Sequence, residues 1–217
     1  MNLEDTGLVN RNIVSAKRTS SLLYFLFDAH GTYLDFGGGY GLFVRLMRDY
    51  GFDFYWTDPF TKNIFAEGFE FDSKGQKKLE LITAFECFEH FSNPMEEIEK
   101  LLLLAPSLLF STDIFLSGTP SPDTWEYFYF AHGQHVALYS LASLQFIANK
   151  FNLHLLTNGK SFHLLTPKKT HNFTYQLLLK GAFTGIPSAV KLLLGTRMKS
   201  DVAQAVQRGI RSRSESR

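Results

Sequence analysis

Residues 35–41 read Asp-Phe-Gly-Gly-Gly-Tyr-Gly, and they lie between an apolar run, Thr32 to Phe36, and a stretch of helical spacing, Leu42 to Tyr50. Glycines at alternate positions let a backbone turn tightly and approach a ligand without side-chain interference. The turn therefore joins a buried strand to a helix, and the rest of the chain repeats that rhythm. Phe52 to Thr57 reads as a second strand, Glu67 to Phe71 as a weaker third and Leu79 to Phe85 as a fourth. A helix follows in which Asn93 can cap, Pro94 suits the first position, and Glu96 and Glu97 face the positive end of the dipole. Leu108 to Ile114 is a fifth strand, and Leu141 to Phe151 is a helix opened by Ser140. Leu153 to Thr157 and Phe162 to Thr166 form a closing antiparallel hairpin at a sheet edge. Strands alternating with helices in this way define the α/β class.

With 217 residues, 45% of them hydrophobic, the chain suits one globular domain with a short appendage. Its parts are residues 1–29, holding a helix over Asn12 to Asp28, a domain over 30–167, and a final segment over 168–217. In that segment Thr174 to Leu194 is apolar but interrupted by Lys180, Gly185, Pro187 and Lys191. The stretch from Arg197 to Arg217, six basic residues against two acids, is expected to be mobile at its end. Apolar residues followed by arginines allow two readings: a membrane-surface or docking segment, or a helix packed on the domain. A net charge of +1 gives no field directed at nucleic acid, and a single cysteine, Cys87, excludes multi-thiolate metal sites. Acids in Met1 to Asp5 do not resemble a secretory leader, so a cytoplasmic location is expected. The longest apolar stretches, Leu22 to Phe27 and Leu101 to Ala105, are too short to span a membrane. Twenty-two phenylalanines and nine tyrosines suit a thick core and a pocket for something flat or apolar.

A dinucleotide fingerprint would need a small residue where this chain has Leu42, and no triphosphate-cradling motif is present. The pattern Asp-x-Gly-x-Gly-x-Gly instead resembles motif I of the class I S-adenosylmethionine-dependent methyltransferases. The resemblance implies a Rossmann-like, doubly wound, mostly parallel seven-stranded sheet with an antiparallel edge strand, and S-adenosyl-L-methionine as cofactor. Its aminoacyl end and sulfonium would lie along Gly37, Gly39 and Gly41, with Asp35 serving the ammonium group directly or through water. The alternative is a glycine turn used only for packing. Asp58, at the end of the second strand, can accept hydrogen bonds from adjacent ribose hydroxyls, or it forms an Asp-Pro turn with Pro59. Phe69 and Asp72 are candidates to stack on adenine and accept from its amino group.

Thr83 to His90 stands at the carboxyl end of the fourth strand, where open α/β sheets place ligands. Its Glu-x-x-Glu-His run, followed by Asn93-Pro94, resembles the small-molecule branch named methyltransferase domain family 23. That likeness implies that Glu86 faces the cofactor and His90 lies near the reactive end. Alternatively, Glu89 and His90 hydrogen-bond the exposed amides of the following helix. Trp125 to Ser140 would form an apolar wall with polar points, in which Trp125, Tyr127, Tyr129, Gln134 and Tyr139 meet the acceptor. Its Gly-Gln-His-x-x-x-Tyr-Ser stretch resembles the same branch, some of whose sugar-methylating members have Glu before the histidine where this chain has Gln134. His135 is the candidate general base, because imidazole titrates near neutrality. No ligand spacing typical of a metal site accompanies His90, His132 and His135, so no metal is expected. The expected function is methyl transfer to a small molecule, such as a sugar or metabolite hydroxyl. Its rivals are a non-catalytic cofactor-binding partner subunit, opposed by the retained histidines, and a nicotinamide dehydrogenase, opposed by Leu42.

Overall fold

The computed structural model describes residues 7–75, 78–116, 118, 121, 125–128 and 135–215. Its strands, in chain order, are β1 (Thr32–Phe36), β2 (Asp53–Thr57), β3 (Leu79–Phe85), β4 (Leu108–Ser111), β5 (Ile114–Phe115), β6 (Tyr139–Ser140), β7 (His154–Thr157) and β8 (Phe162–Thr166). Successive side chains of a strand point to opposite faces, and here both faces are apolar. Tyr33, Leu81, Leu109 and Leu164 enter one core, while Leu34, Ile82, Leu108, Phe110 and Leu165 enter another. Each such side chain contributes ~1.5–3 kcal/mol when fully buried. A sheet with two apolar faces needs two layers of helices. The first face is covered by α1 (Leu8–Leu26), α2 (Leu42–Asp49), α5 (Asn172–Gly181) and α6 (Ile186–Leu194), and the second by α3 (Pro94–Leu104) and α4 (Leu141–Lys150). The last helix is α7 (Met198–Glu215), within the basic stretch that the sequence expects to be mobile at its end.

The central sheet has the order β2-β1-β3-β4-β8-β7. The pairs β1–β2, β1–β3 and β3–β4 are parallel, whereas β8 is antiparallel to both β4 and β7. The hairpin at Asn158-Gly159 accordingly inserts its second strand inward, so the reversed strand lies one place in from the edge. Asn158 holds that turn by accepting from the amides of Lys160, Ser161 and Phe162 at 2.9–3.0 Å. The sheet has six strands and not the expected seven. Glu67 to Phe71 makes only a single parallel bridge, Trp56 to Glu70, with Gly68 in the left-handed region at φ +86° breaking the extension. The fifth expected strand also stops early, at Ser111. The chain then turns at Thr112-Asp113, and β5 pairs with β6 apart from the main sheet.

The helix starts follow local chemistry. Ser140 and Ser143 form a reciprocal capping box on α4, with amide-to-hydroxyl distances of 3.1 and 2.9 Å. At α3, Pro94 occupies the first turn, but the Asn93 side chain donates to Glu96 (2.8 Å) and does not cap the backbone.

The C-terminal helix is anchored by charge. Arg48, on α2, is 1% exposed; it donates to both oxygens of Asp201 on α7 (2.9 and 2.7 Å), to Asp53 (2.9 Å) and to the Phe54 carbonyl (2.9 Å). Its guanidinium carbon lies 3.7 Å from the Phe69 ring centroid. Burial alone would push the Asp201 carboxyl up, but the hydrogen bonds and charges of Arg48 and Arg45 outweigh it and hold the carboxyl below its ordinary value. Arg48→Ala leaves Asp201 with Arg45 alone and Asp53 with the longer contact to Arg197, and the loss of the buried partner is expected to cost about 3–5 kcal/mol in urea unfolding. Because the folded carboxyl titrates below the unfolded one, the contribution of Asp201 is complete above about pH 4 and is lost as pH falls through its folded value. Asp201→Asn should remove that acid-limb dependence.

Candidate active site

The carboxyl ends of β1, β2 and β3 meet at the glycine turn. Gly37, Gly39 and Gly41 all have positive φ, and Gly41 is the residue from which α2 begins. A Cβ on Gly41 would collide with Asn63 and Ala66, whereas one on Gly39 would meet nothing within 4 Å. The turn is thus packed tightly on the α2 side and left open along Gly39, where a ligand can lie against bare backbone.

Side chains from β2 and beyond hold this open peptide in place. The Gly39 amide donates to Asp58 Oδ2 (2.9 Å), and its carbonyl accepts from the Trp56 indole (2.9 Å). The other oxygen of Asp58 accepts from the amides of Phe60 (2.8 Å) and Thr61 (3.0 Å). Asp58 therefore makes the turn after β2, as the Asp-Pro reading expects, and also braces the turn after β1. Asp35 is 3% exposed and accepts from the Thr83 hydroxyl at 2.6 Å. Burial, helped by the charge of Asp58 and opposed by the Thr83 hydrogen bond, pushes its carboxyl up to about 7. Enclosed in this way, Asp35 is supported by β3 and is not open to solvent.

At the end of β3 the chain bends through Glu86, whose backbone is left-handed at φ +54°. Such a conformation is strained for a residue with a side chain, and two bonds to Ser111 compensate: the Glu86 amide donates to Ser111 Oγ (2.8 Å), and that hydroxyl donates to the Glu86 carboxylate (2.5 Å). The bend leads into a short 3-10 turn, Phe88–His90, that buries Glu89 completely and leaves His90 exposed. The Glu89 carbonyl then accepts from the amides of Val136 (2.8 Å) and Ala137 (3.0 Å), which ties the aromatic segment to this corner. His135 consequently stands edge-on to His90, with ring centroids 4.9 Å apart, and 4.3 Å from Tyr127. Burial lowers the His135 pKa, His90 lowers it further, and a hydrogen bond to the Tyr127 backbone works against them, so the ring is biased toward its neutral form.

The expected acceptor wall is only partly a wall. Trp125 is half-buried and stacks on Tyr127 at 5.0 Å. Tyr127 is 9% exposed, accepts from the Asp113 amide (3.0 Å) and pairs with the Thr112 hydroxyl (3.1 Å). Tyr139 is a correction: at 3% exposure it belongs to the core beneath α4 and donates to the Phe88 carbonyl (2.9 Å), because β6 turns it inward. Tyr129 and Gln134 lie outside the described residues. Phe69 is a second correction: its ring is 5% exposed and covered by Arg48, so it has no face for adenine, while Asp72 is exposed just beyond it. The residue underrated from sequence is Glu89, whose only signal was its place three residues after Glu86 and beside His90.

A family profile described as a methyltransferase domain matches residues 12–158. Comparison with curated proteins finds no match. Among solved structures the chain is similar to TnmH, with 15% identity and a TM-score of 0.53, covering 76% of this chain and 57% of that one. It is also similar to the plantazolicin methyltransferase BpumL in complex with SAH, with 16% identity and a TM-score of 0.52, covering 88% of this chain and 86% of that one. The chain thus spans little more than half the length of TnmH.

The state of Asp35 can be tested on the ligand-free chain. Its carboxyl holds a proton more tightly folded than unfolded, so it subtracts stability as pH rises from about 4 through about 7. Asp35→Asn should reduce that loss in thermal melts taken across this range.

Proposed function

Since the chain belongs to the methyltransferase domain family, we propose that it transfers a methyl group from S-adenosyl-L-methionine to a hydroxyl of a small-molecule acceptor, such as a sugar or related metabolite. The observation that carries this reading is the open side of Gly39 beside Asp58 and above the enclosed acid Asp35. When bound, the cofactor supplies a methyl group on a positively charged sulfur, which keeps the bonding electrons as the methyl leaves. The residues at the turn fit such a cation. A carboxylate oxygen can accept two hydrogen bonds, and Asp58 Oδ2 receives one from Gly39, which leaves capacity for a ribose hydroxyl. Asp35 and Glu86 add negative potential suited to a sulfonium and an ammonium group and unsuited to a pyrophosphate.

Transfer to a hydroxyl forms an oxygen–carbon bond and frees a proton. Our candidate to receive it is His135, which burial biases toward its neutral form and which precedes the Val136 and Ala137 amides bonded to the Glu89 carbonyl. Holding the reactants in near-attack geometry can supply roughly 7–11 kcal/mol, and a general base typically adds about 10²–10⁴-fold. His135→Ala should therefore slow methyl transfer by about 10²–10⁴-fold while S-adenosylhomocysteine affinity, read by calorimetry, stays the same. Asp58→Ala should abolish that affinity, since it removes both the brace of Gly39 and the ribose acceptor. Binding of NAD in place of S-adenosylhomocysteine would support the dehydrogenase reading, and cofactor binding without transfer in a metabolite extract would support the partner-subunit reading.

The C-terminal helices favour contact with an anionic lipid surface. No acid occurs between Glu126 and Asp201, while eight lysines and arginines do. On α5 and α6, which meet at 85°, Phe173, Leu177, Leu192 and Leu193 are exposed, as is Phe183 between them. Among the described residues no single helix is long and apolar enough to cross a membrane, while the bent pair α5 and α6 is so only when taken together; the contact proposed is one within the interface. The full chain should sediment with vesicles containing anionic lipid. A double variant, Leu192→Ser with Leu193→Ser, alters only exposed positions and should stay in the supernatant; equal sedimentation of the two would refute the contact.

A further inference from the structure

The corner where the aromatic segment meets the end of β3 gathers Glu89, His90 and His135, whose ligand-type atoms all lie within 4.8 Å of one another. We propose that these three residues bind a divalent first-row transition-metal cation of the manganese-to-zinc series. A carboxylate with two imidazoles is a donor set suited to such ions, and small rotations of the side chains bring a spacing of this size to bonds of about 2.0–2.2 Å.

Glu89 gives the strongest physical reason. It is 0% exposed, and no donor meets either carboxylate oxygen in good hydrogen-bond geometry. The hydroxyls of Thr112 and Tyr127 pair with each other through one of their two protons, and their nearness to the carboxylate offsets part of its burial. Burial first, and then the charge of Glu86, push the carboxyl up to about 7. An unpartnered acid in the protein interior is costly, and most native examples are paired or coordinate a cation. The histidines are disposed to complete such a site. His90 is exposed on the next residue of the same 3-10 turn, and His135 faces it edge-on at an interplanar angle of 77°. The His135 ring is oriented by the Tyr127 backbone, the kind of outer contact that fixes a ligand imidazole. Two amides of the aromatic segment, from Val136 and Ala137, bond the carbonyl of Glu89 itself, so one residue both offers a donor and positions another. The sequence shows no familiar ligand spacing because the third donor arrives from a segment 45 positions downstream of its nearest partner.

What the ion would do rests on the methyl-transfer reading, although its binding does not. An acceptor hydroxyl placed on the ion loses its proton to water more readily, and the oxygen then uses its lone pair to form the bond to the methyl carbon. His135 would act through the ion in place of taking the proton itself.

The test uses the full chain, stripped with a chelator and titrated with Co²⁺. Visible d–d absorption saturating near one equivalent is expected. His90→Ala, at an exposed position, and His135→Ala should each weaken Co²⁺ binding at least about tenfold, with melting curves confirming that the variants remain folded. Glu89→Gln should do the same and, by removing a buried charge, should not lower stability. Absence of cobalt bands at millimolar Co²⁺, or bands unchanged in the double histidine variant, would overturn the site. Calorimetry with S-adenosylhomocysteine separates the two readings: cofactor binding and transfer unaffected by chelation would refute the ion's part in the reaction alone, and cobalt binding without cofactor binding would refute methyl transfer alone.

Discussion

The peptide of Gly39 is gripped at both of its polar groups, its amide by Asp58 and its carbonyl by the Trp56 indole. Both partners come from β2 or the residue just after it, so the shape of the first turn depends on the neighbouring strand being in register. That register is parallel, with Asp35 opposite Trp56 and Phe36 opposite Thr57. Once it is set, the Gly37 and Gly38 amides also bond the Thr57 carbonyl. The glycines supply the freedom to bend, and the second strand selects one bend from the many that glycine permits.

Acid clusters around this turn. Asp35 and Glu89 are both enclosed, and burial raises both carboxyls to about 7, while Asp58 and Glu86 lie nearer the surface. Removing carboxylates from water disfavours their charge, and packing several together disfavours it further. A site built this way gains most from a positive ligand. A sulfonium with an ammonium group meets that demand at the glycine turn, and a metal ion meets it at the histidines.

The features legible in the sequence were those decided locally. The apolar runs of β1, β3 and β8, the glycines before α2 and Ser140 before α4 each act within a few residues, and each falls where the sequence put it. Features that depend on distant partners were not legible. Glu67 to Phe71 has a strand's composition, but Gly68 and its position outside β2 leave it a single bridge. Phe69 has the right place in the chain for a nucleobase and the wrong face, because Arg48 claims its ring. Tyr139 looks like part of a binding loop until β6 turns it into the core. Glu89 reads from sequence as a partner for the amides of the following helix, and nothing in its neighbours reveals that its carboxylate is fully enclosed at the end of β3.

The clasp between Arg48 and Asp201 joins residues 153 positions apart, across the first helix after the glycine turn and the last helix of the chain. Arg48 also reaches the Phe54 carbonyl in the strand that steadies Gly39. A break in the chain anywhere between α6 and Asp201 would therefore leave a guanidinium without its principal counter-ion in the layer that supports the cleft. The closing helix is a buttress of the ligand turn, and trimming it back to the sheet would remove part of the scaffold on which that turn rests.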